Sequence, residues 1–250
     1  MSALPRIEPA WPVPVNGVAA FSTTREGGVS TGRYASLDLG AAGAARASAD
    51  AAAVAENRRR VQALLPSPPR WLAQVHGATV HVAQSAFTAA PPVADAAVTR
   101  ARNVVLAVLT ADCLPLVLAD RDGAVVGVAH GGWRGVAAGV VERTVEAMAV
   151  APQRIVAWLG PAIGPERFEV GADVRDAFLA GAAENAAAFR PGRPGKWWAD
   201  LYALARHRLL RCGVRDVGGG DRCTVSEADA FFSYRRDGET GRMATFAWLR

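Results

Sequence analysis

Lysine is nearly missing from this 250-residue chain: Lys196 is the only one, and arginine supplies the rest of the 28 basic side chains. Against 23 acidic residues the formal net charge is +5. A basic balance invites a nucleic-acid or phosphate partner. The arginines are scattered, however, apart from Arg58-Arg59-Arg60. Their excess, with abundant alanine, reads as compositional bias and argues against a nucleic-acid surface. A small anion such as inorganic phosphate remains a fitting partner. Cysteine is scarce too. Three widely spaced residues, Cys113, Cys212 and Cys223, exclude a disulfide framework and fit a reducing cytoplasm. No apolar run reaches the ~20 residues that cross a bilayer, and Met-Ser-Ala-Leu-Pro-Arg at the start lacks a signal-peptide core. A cytoplasmic protein without a membrane partner is expected.

Several signatures are also lacking. There is no His-Glu-x-x-His helix, no paired Cys-x-x-Cys, no P-loop and no Gly-x-Gly-x-x-Gly. The His-x-Glu…Pro-Cys-x-x-Cys pattern of zinc deaminases and the Gly-x-Ser-x-Gly elbow are absent as well.

What is present suits one domain over residues 1–250, with 51% hydrophobic content and no Pro/Ser-rich linker. The stretch 40–60 is biased toward alanine and arginine. Hydrophobic periodicity predicts strands near 18–25, 71–75, 79–83, 104–110, 114–120, 124–129, 155–159 and 244–249. It predicts helices over 50–65, 136–150, 170–180 and 198–212. The strand spacings mix hairpins and crossovers, so a mixed sheet with flanking helices is expected.

The chain holds four histidines. His207 sits in an arginine-rich helix and reads as a solvated residue, and His81 alternates with Val80 and Val82 as a strand-face residue. His76 and His130 differ: each ends a predicted strand and is followed by glycine. Cys113 ends a third, in Thr110-Ala-Asp-Cys113. Open α/β sheets place chemistry at strand ends. Two imidazoles and a thiolate make a three-ligand zinc site with an open fourth position. The same trio also makes a cysteine nucleophile with a histidine base. Asp112 is placed to orient a histidine N–H, to act as a base or to bind substrate or phosphate. Arg25, after Thr23-Thr24, and Arg134, in Gly131-Gly-Trp-Arg-Gly135, are candidates for holding phosphate. Ser233-Tyr-Arg-Arg236 with Gly241-Arg242 reads as a charged hairpin.

Motifs along nearly the whole chain carry a resemblance. They include Phe21-Ser-Thr-Thr-Arg25-x-Gly-Gly-Val-Ser30, Glu56-Asn57-Arg58, Gln74-Val-His76-Gly and Ala94-Asp95-Ala96. Thr110-Ala-Asp-Cys113-Leu-Pro115, Ala129-His130-x-Gly-Trp-Arg-Gly135 and Gly160-Pro-x-Ile-Gly164 follow. Asp200-Leu201, Cys223-Thr224 and Phe232-Ser-Tyr-Arg-Arg236 complete the set. Together they resemble the YfiH-type laccase-domain family, once called multicopper polyphenol oxidases and now described as purine nucleoside phosphorylases. The resemblance implies a layered α/β/β/α fold related to cysteine-hydrolase toxin domains. It implies zinc on His76, Cys113 and His130, and phosphorolysis of adenosine, inosine, guanosine and methylthioadenosine, with adenosine deamination as a second reaction. Asp38 and Glu166-Arg167-Phe168 depart from the family pattern.

The oxidase label fails on a count. A set of several copper centres needs many more imidazoles than four. One copper at the same His-Cys-His site suits the ligand set, with weak oxidase activity as a consequence. Two other readings stay open: a metal-free cysteine hydrolase or amidase using Cys113 with His130 or His76, and a zinc-dependent module that binds nucleosides or a protein without turnover.

Overall fold

The computed structural model describes residues 4–40, 50–84 and 90–250. Residues 41–49 of the alanine- and arginine-rich stretch lie outside the described residues. In chain order the elements are β1 (Arg6–Ile7), β2 (Val18–Thr23), α1 (Ala51–Gln62), β3 (Val80–Val82), β4 (Ala96–Thr99), β5 (Leu106–Thr110), β6 (Leu114–Asp120) and β7 (Val126–Gly131). Next come α2 (Trp133–Ala137), α3 (Val140–Met148), β8 (Ile155–Leu159), β9 (Glu169–Val170), α4 (Ala172–Leu179), β10 (Phe189–Pro191) and β11 (Trp197–Ala199). The chain closes with α5 (Leu201–Arg211), β12 (Asp216–Gly219), α6 (Tyr234–Asp237) and β13 (Met243–Leu249).

Two sheets carry the fold. One is antiparallel, in the order β1-β2-β13-β5; the other is mixed, in the order β12-β8-β6-β7-β4-β3. A small third sheet is ordered β10-β11-β9. The layers follow from side-chain alternation in strands buried on both faces. Along β5, Leu106 and Val108 face the core between the two sheets, while Ala107 and Leu109 face the layer that holds Val61 of α1. Along β6, Val117 and Ala119 face the first sheet, while Leu114, Leu116 and Leu118 face α3 and α5. The result is the α/β/β/α stack implied by the resemblance, with two sheets where strand spacing alone suggested one.

Helix α1 starts where Asp50 accepts from the amides of Ala52 and Ala53, an N-cap worth about 1 kcal/mol. The single helix expected over 136–150 is two. Gly139 at φ 93° breaks it, so α2 stops at Ala137 and α3 starts at Val140. No strand forms over 71–75, which makes only an isolated bridge from Ala73 to Val93. The expected Ser233–Arg236 hairpin is instead the short helix α6, capped by the Ser233 hydroxyl accepting from Arg236 N.

β5 and β6 are neighbours in sequence but belong to different sheets, so the chain crosses between layers over residues 111–113. Leu116 is fully buried on the far side of that crossing. Leu116→Ala is expected to cost about 2–5 kcal/mol, and Val82→Ala, at an exposed position, less than about 0.5 kcal/mol. Urea unfolding of the two variants measures the contrast.

Candidate active site

The crossing between sheets creates the site. Asp112 takes φ 88°, a left-handed conformation in which a non-glycine residue is strained, and turns the chain so that Cys113 emerges at the head of β6. His130 lies near the end of β7, opposite Pro115 in the β6–β7 ladder. His76 stands in a loop at φ 61°. That loop is tied to β5 by the Gln74 amide, which donates to Leu109 O at 2.9 Å and accepts from Leu109 N at 2.8 Å. A side chain here imitates one rung of a strand ladder.

The expected trio meets. Ligand atoms of His76, Cys113 and His130 all lie within 4.8 Å of one another. The Cys113 sulfur is 3.7 Å from His76 Nε2, and the two imidazoles sit edge to face with centroids 4.7 Å apart. His130 is buried, Cys113 half-buried and His76 exposed, so the cluster opens to one side. Gly132 walls the other side. A Cβ there would lie 2.7 Å from His76 Cδ2 and 3.3 Å from the Cys113 sulfur.

The histidine orienter is Asp95, not Asp112 as expected. His130 Nδ1 bonds Asp95 Oδ1 at 2.8 Å. The same carboxylate accepts the backbone amides of Val75 (3.1 Å), His76 (2.9 Å) and Gly77 (2.7 Å). Burial opposes ionisation of Asp95, but His130 and these amides outweigh it and hold its pKa below the ordinary value. With Nδ1 engaged, His130 turns Nε2 toward the trio, the carboxylate–histidine arrangement of metal sites. Asp112 does other work. Its carboxylate accepts the Thr224 hydroxyl and the Arg235 backbone amide, each at 2.6 Å.

Thiol and imidazole are coupled. Burial would raise the Cys113 pKa, yet His130 and His76 bring it down to about 6. Burial would lower that of His130, yet the Cys113 and Asp95 anions raise it to about 9. Without a metal, the pair is therefore thiolate and imidazolium at neutral pH. The donors, one soft thiolate and two imidazoles with a carboxylate behind one of them, fit zinc or copper.

The trio lines a cavity of about 470 Å³, within the usual range for small-molecule sites. Trp133, Phe168, Tyr234, Arg134 and Arg235 share its walls. Arg134, within α2, lies with its guanidinium over the Trp133 ring at 4.4 Å and donates to no described residue. Arg25 is absent from this wall. It lines a separate depression with Glu26 and Asp229, and donates to the carbonyls of Ala35 and Ala228, both at 2.9 Å. Its place in the motif is explained by tying loops together, not by this cavity. Asp38 is likewise buried away from the cavity and accepts the amides of Gly40 and Arg242.

The family described as multi-copper polyphenol oxidoreductase laccase matches residues 19–250. The chain belongs to this family. It is 51% identical over 245 residues to the Escherichia coli K12 protein named purine nucleoside phosphorylase YfiH, covering 97% of this chain and 98% of that one. It is 48% identical over 245 residues to purine nucleoside phosphorylase PA4543 of Pseudomonas aeruginosa, covering 98% of each. Among solved structures it resembles Neisseria meningitidis protein NMB0706, with a TM-score of 0.92, 48% identity and 98% of each chain covered. It also resembles YlmD of Geobacillus stearothermophilus, with a TM-score of 0.87, 33% identity and both chains fully covered. The multi-copper part of the family description finds no counterpart among the described residues. His81 stays on β3, His207 faces Asn185, and among the described residues one group of three or more potential metal ligands forms.

Residue pattern alone does not mark Asp95 as a site residue. Its sequence signal is a lone carboxylate between alanines at the head of an apolar strand, where a charge has no solvent to face. Asp95→Asn should weaken metal binding about 10- to 100-fold, measured by competition with a chromogenic chelator. Metal binding needs the thiolate and a neutral His130. Between about pH 7 and about 9 the ion must displace the His130 proton. One proton should therefore be released per ion, with apparent affinity rising about tenfold per pH unit and levelling above the His130 pKa. Calorimetry in buffers of different ionisation enthalpy reads the proton count.

Proposed function

We propose that this protein is a metal-dependent purine nucleoside phosphorylase, with zinc held by His76, Cys113 and His130. Its substrates are adenosine, inosine, guanosine and methylthioadenosine with inorganic phosphate, and adenosine deamination is a side reaction at the same site. The observation that carries this reading is the opening of the His-Cys-His cluster into a cavity whose wall holds Arg134, which donates to no described residue. About half-identity to full-length relatives named as purine nucleoside phosphorylases supports the substrate class.

Phosphorolysis joins a phosphate oxygen to the ribose C1′ and breaks the glycosidic bond, whose electron pair leaves with the purine. Two charges must be met. Arg134 suits the phosphate, because it lines the cavity, carries a fork of donors and has no acceptor among the described residues to release. The purine gathers negative charge as it departs and needs an electrophile. A bound ion would supply that Lewis acidity, and a copper ion in the same ligands would give weak oxidase activity. Asp95 keeps the His130 imidazole oriented throughout, and Gly132 lets the cluster sit close against the backbone.

A second reading, a metal-free cysteine hydrolase, is favoured by one observation: the Cys113 sulfur sits in one cluster with both imidazoles, 3.7 Å from His76 Nε2, a setting that lowers the thiol pKa. One experiment separates the two. The purified protein is assayed on adenosine with and without phosphate, after metal loading and after chelation. Free adenine that requires both phosphate and metal is the expected product. Cys113→Ala should lose the metal and at least about 100-fold in turnover. Full activity in Cys113→Ala would overturn the site. Activity that survives chelation but not thiol alkylation would establish the hydrolase.

A further inference from the structure

Of the three aromatic rings lining the cavity, Trp133, Phe168 and Tyr234, two are already covered. The Arg134 guanidinium lies over Trp133 at 4.4 Å and that of Arg235 over Phe168 at 5.3 Å. Tyr234 is different. It lines the cavity yet remains 61% exposed. Its ring stacks on no other ring, and its hydroxyl bonds no group among the described residues. A large ring left in water at a cavity mouth is the usual mark of a contact surface for a ligand.

The backbone beneath that ring is firmly held. The Asp112 carboxylate accepts the Arg235 amide at 2.6 Å. The Arg236 guanidinium donates to the carbonyls of Thr224 (2.8 Å), Val225 (3.1 Å) and Phe231 (3.0 Å). Arg235 reaches Glu169 O at 3.0 Å. Helix α6 is thus pinned on several sides while its one cavity-facing ring is free. A fixed mount with an unoccupied face is a preorganised platform, since little ordering remains to be done on binding. Asp112 also precedes Cys113, so one residue sets both the platform and the sulfur of the trio. The separation between stacked base and reacting centre is thereby built into a single turn.

We propose that Tyr234 is the platform on which the purine base stacks, and that Asp112 is a positioning residue that holds it at a set distance from the trio. The proposal rests on the nucleoside reading above and names its base subsite. Stacking needs a π-face and not the hydroxyl, so phenylalanine should serve and alanine should not.

The test uses the full-length metal-loaded protein, with adenosine and ribose 1-phosphate as calorimetric ligands beside steady-state phosphorolysis. Tyr234→Ala is expected to weaken adenosine binding roughly 5- to 150-fold, the span that base–aromatic stacking carries. Ribose 1-phosphate, which has no base, should bind Tyr234→Ala as it binds the parent, and metal stoichiometry should stay the same. Tyr234→Phe should restore adenosine affinity. Asp112→Asn puts an amide where a carboxylate received two donors. It should raise the KM for adenosine while the KM for phosphate holds, with turnover expressed per bound metal ion. Adenosine affinity unchanged in Tyr234→Ala overturns the platform. So does equal weakening of adenosine and ribose 1-phosphate, or a Tyr234→Phe variant as weak as Tyr234→Ala. Asp112→Asn with an unchanged KM for adenosine overturns its positioning role. Adenosine binding without phosphorolysis in the parent protein would overturn the phosphorylase reading alone, since the stacking comparison is read from binding.

Discussion

Everything at the site hangs on one buried carboxylate. Asp95 has no solvent-exposed side-chain surface, and four N–H groups converge on its two oxygens. Three are consecutive backbone amides of the His76 loop; the fourth is the His130 ring. A buried charge is tolerable only when its lone pairs are filled. The same bonds that make Asp95 tolerable fix the position of one histidine and the orientation of another. The His130 amide also donates to Asp95 O at 2.7 Å, so the two residues are joined by backbone and side chain alike. Without this anchor, His76 would have only the Gln74 amide and its own unusual backbone conformation to place it.

The two sheets give that anchor its meaning. His130 comes from the end of β7, and Cys113 from the chain that has just left the antiparallel sheet for the mixed one. Strain is concentrated where they meet: His76 and Asp112 both hold positive φ. Non-glycine residues keep such angles only when neighbours over-determine them. Here the Asp95 carboxylate does so for the His76 amide, and Thr224, Arg235 and Ile163 do so for Asp112. The electrostatic consequence is a thiol whose pKa is lowered beside an imidazole whose pKa is raised, a pair that a metal would convert into two ligands by displacing one proton.

Much of this was legible in the residues. Apolar alternation located most of the long strands and the helical faces, because burial on one or both faces leaves a period of two or 3.6. His76, Cys113 and His130 stood out because histidine and cysteine are rare here and each ended an apolar run. Other features were not legible. Gly139 breaks a helix whose apolar pattern runs on past it. Arg25 and Arg134 sit in equally suggestive motifs, but only Arg134 reaches the cavity, because Arg25 is held by the carbonyls of Ala35 and Ala228. Asp112, beside the cysteine, looked like the partner of a histidine, while the true partner stood 35 residues before His130.

The sequence by itself determined most of the pattern of strands and helices, the candidate ligand types, and a histidine count too small for several copper centres. These depend on local periodicity and on counting side chains, neither of which needs a partner in space. Tertiary structure alone decided that β5 and β6 part into different sheets, that Asp95 lies beneath the trio, and that Tyr234 stands uncovered at the cavity mouth. Each of these depends on which groups lose their water together, and burial is a property of the folded chain as a whole.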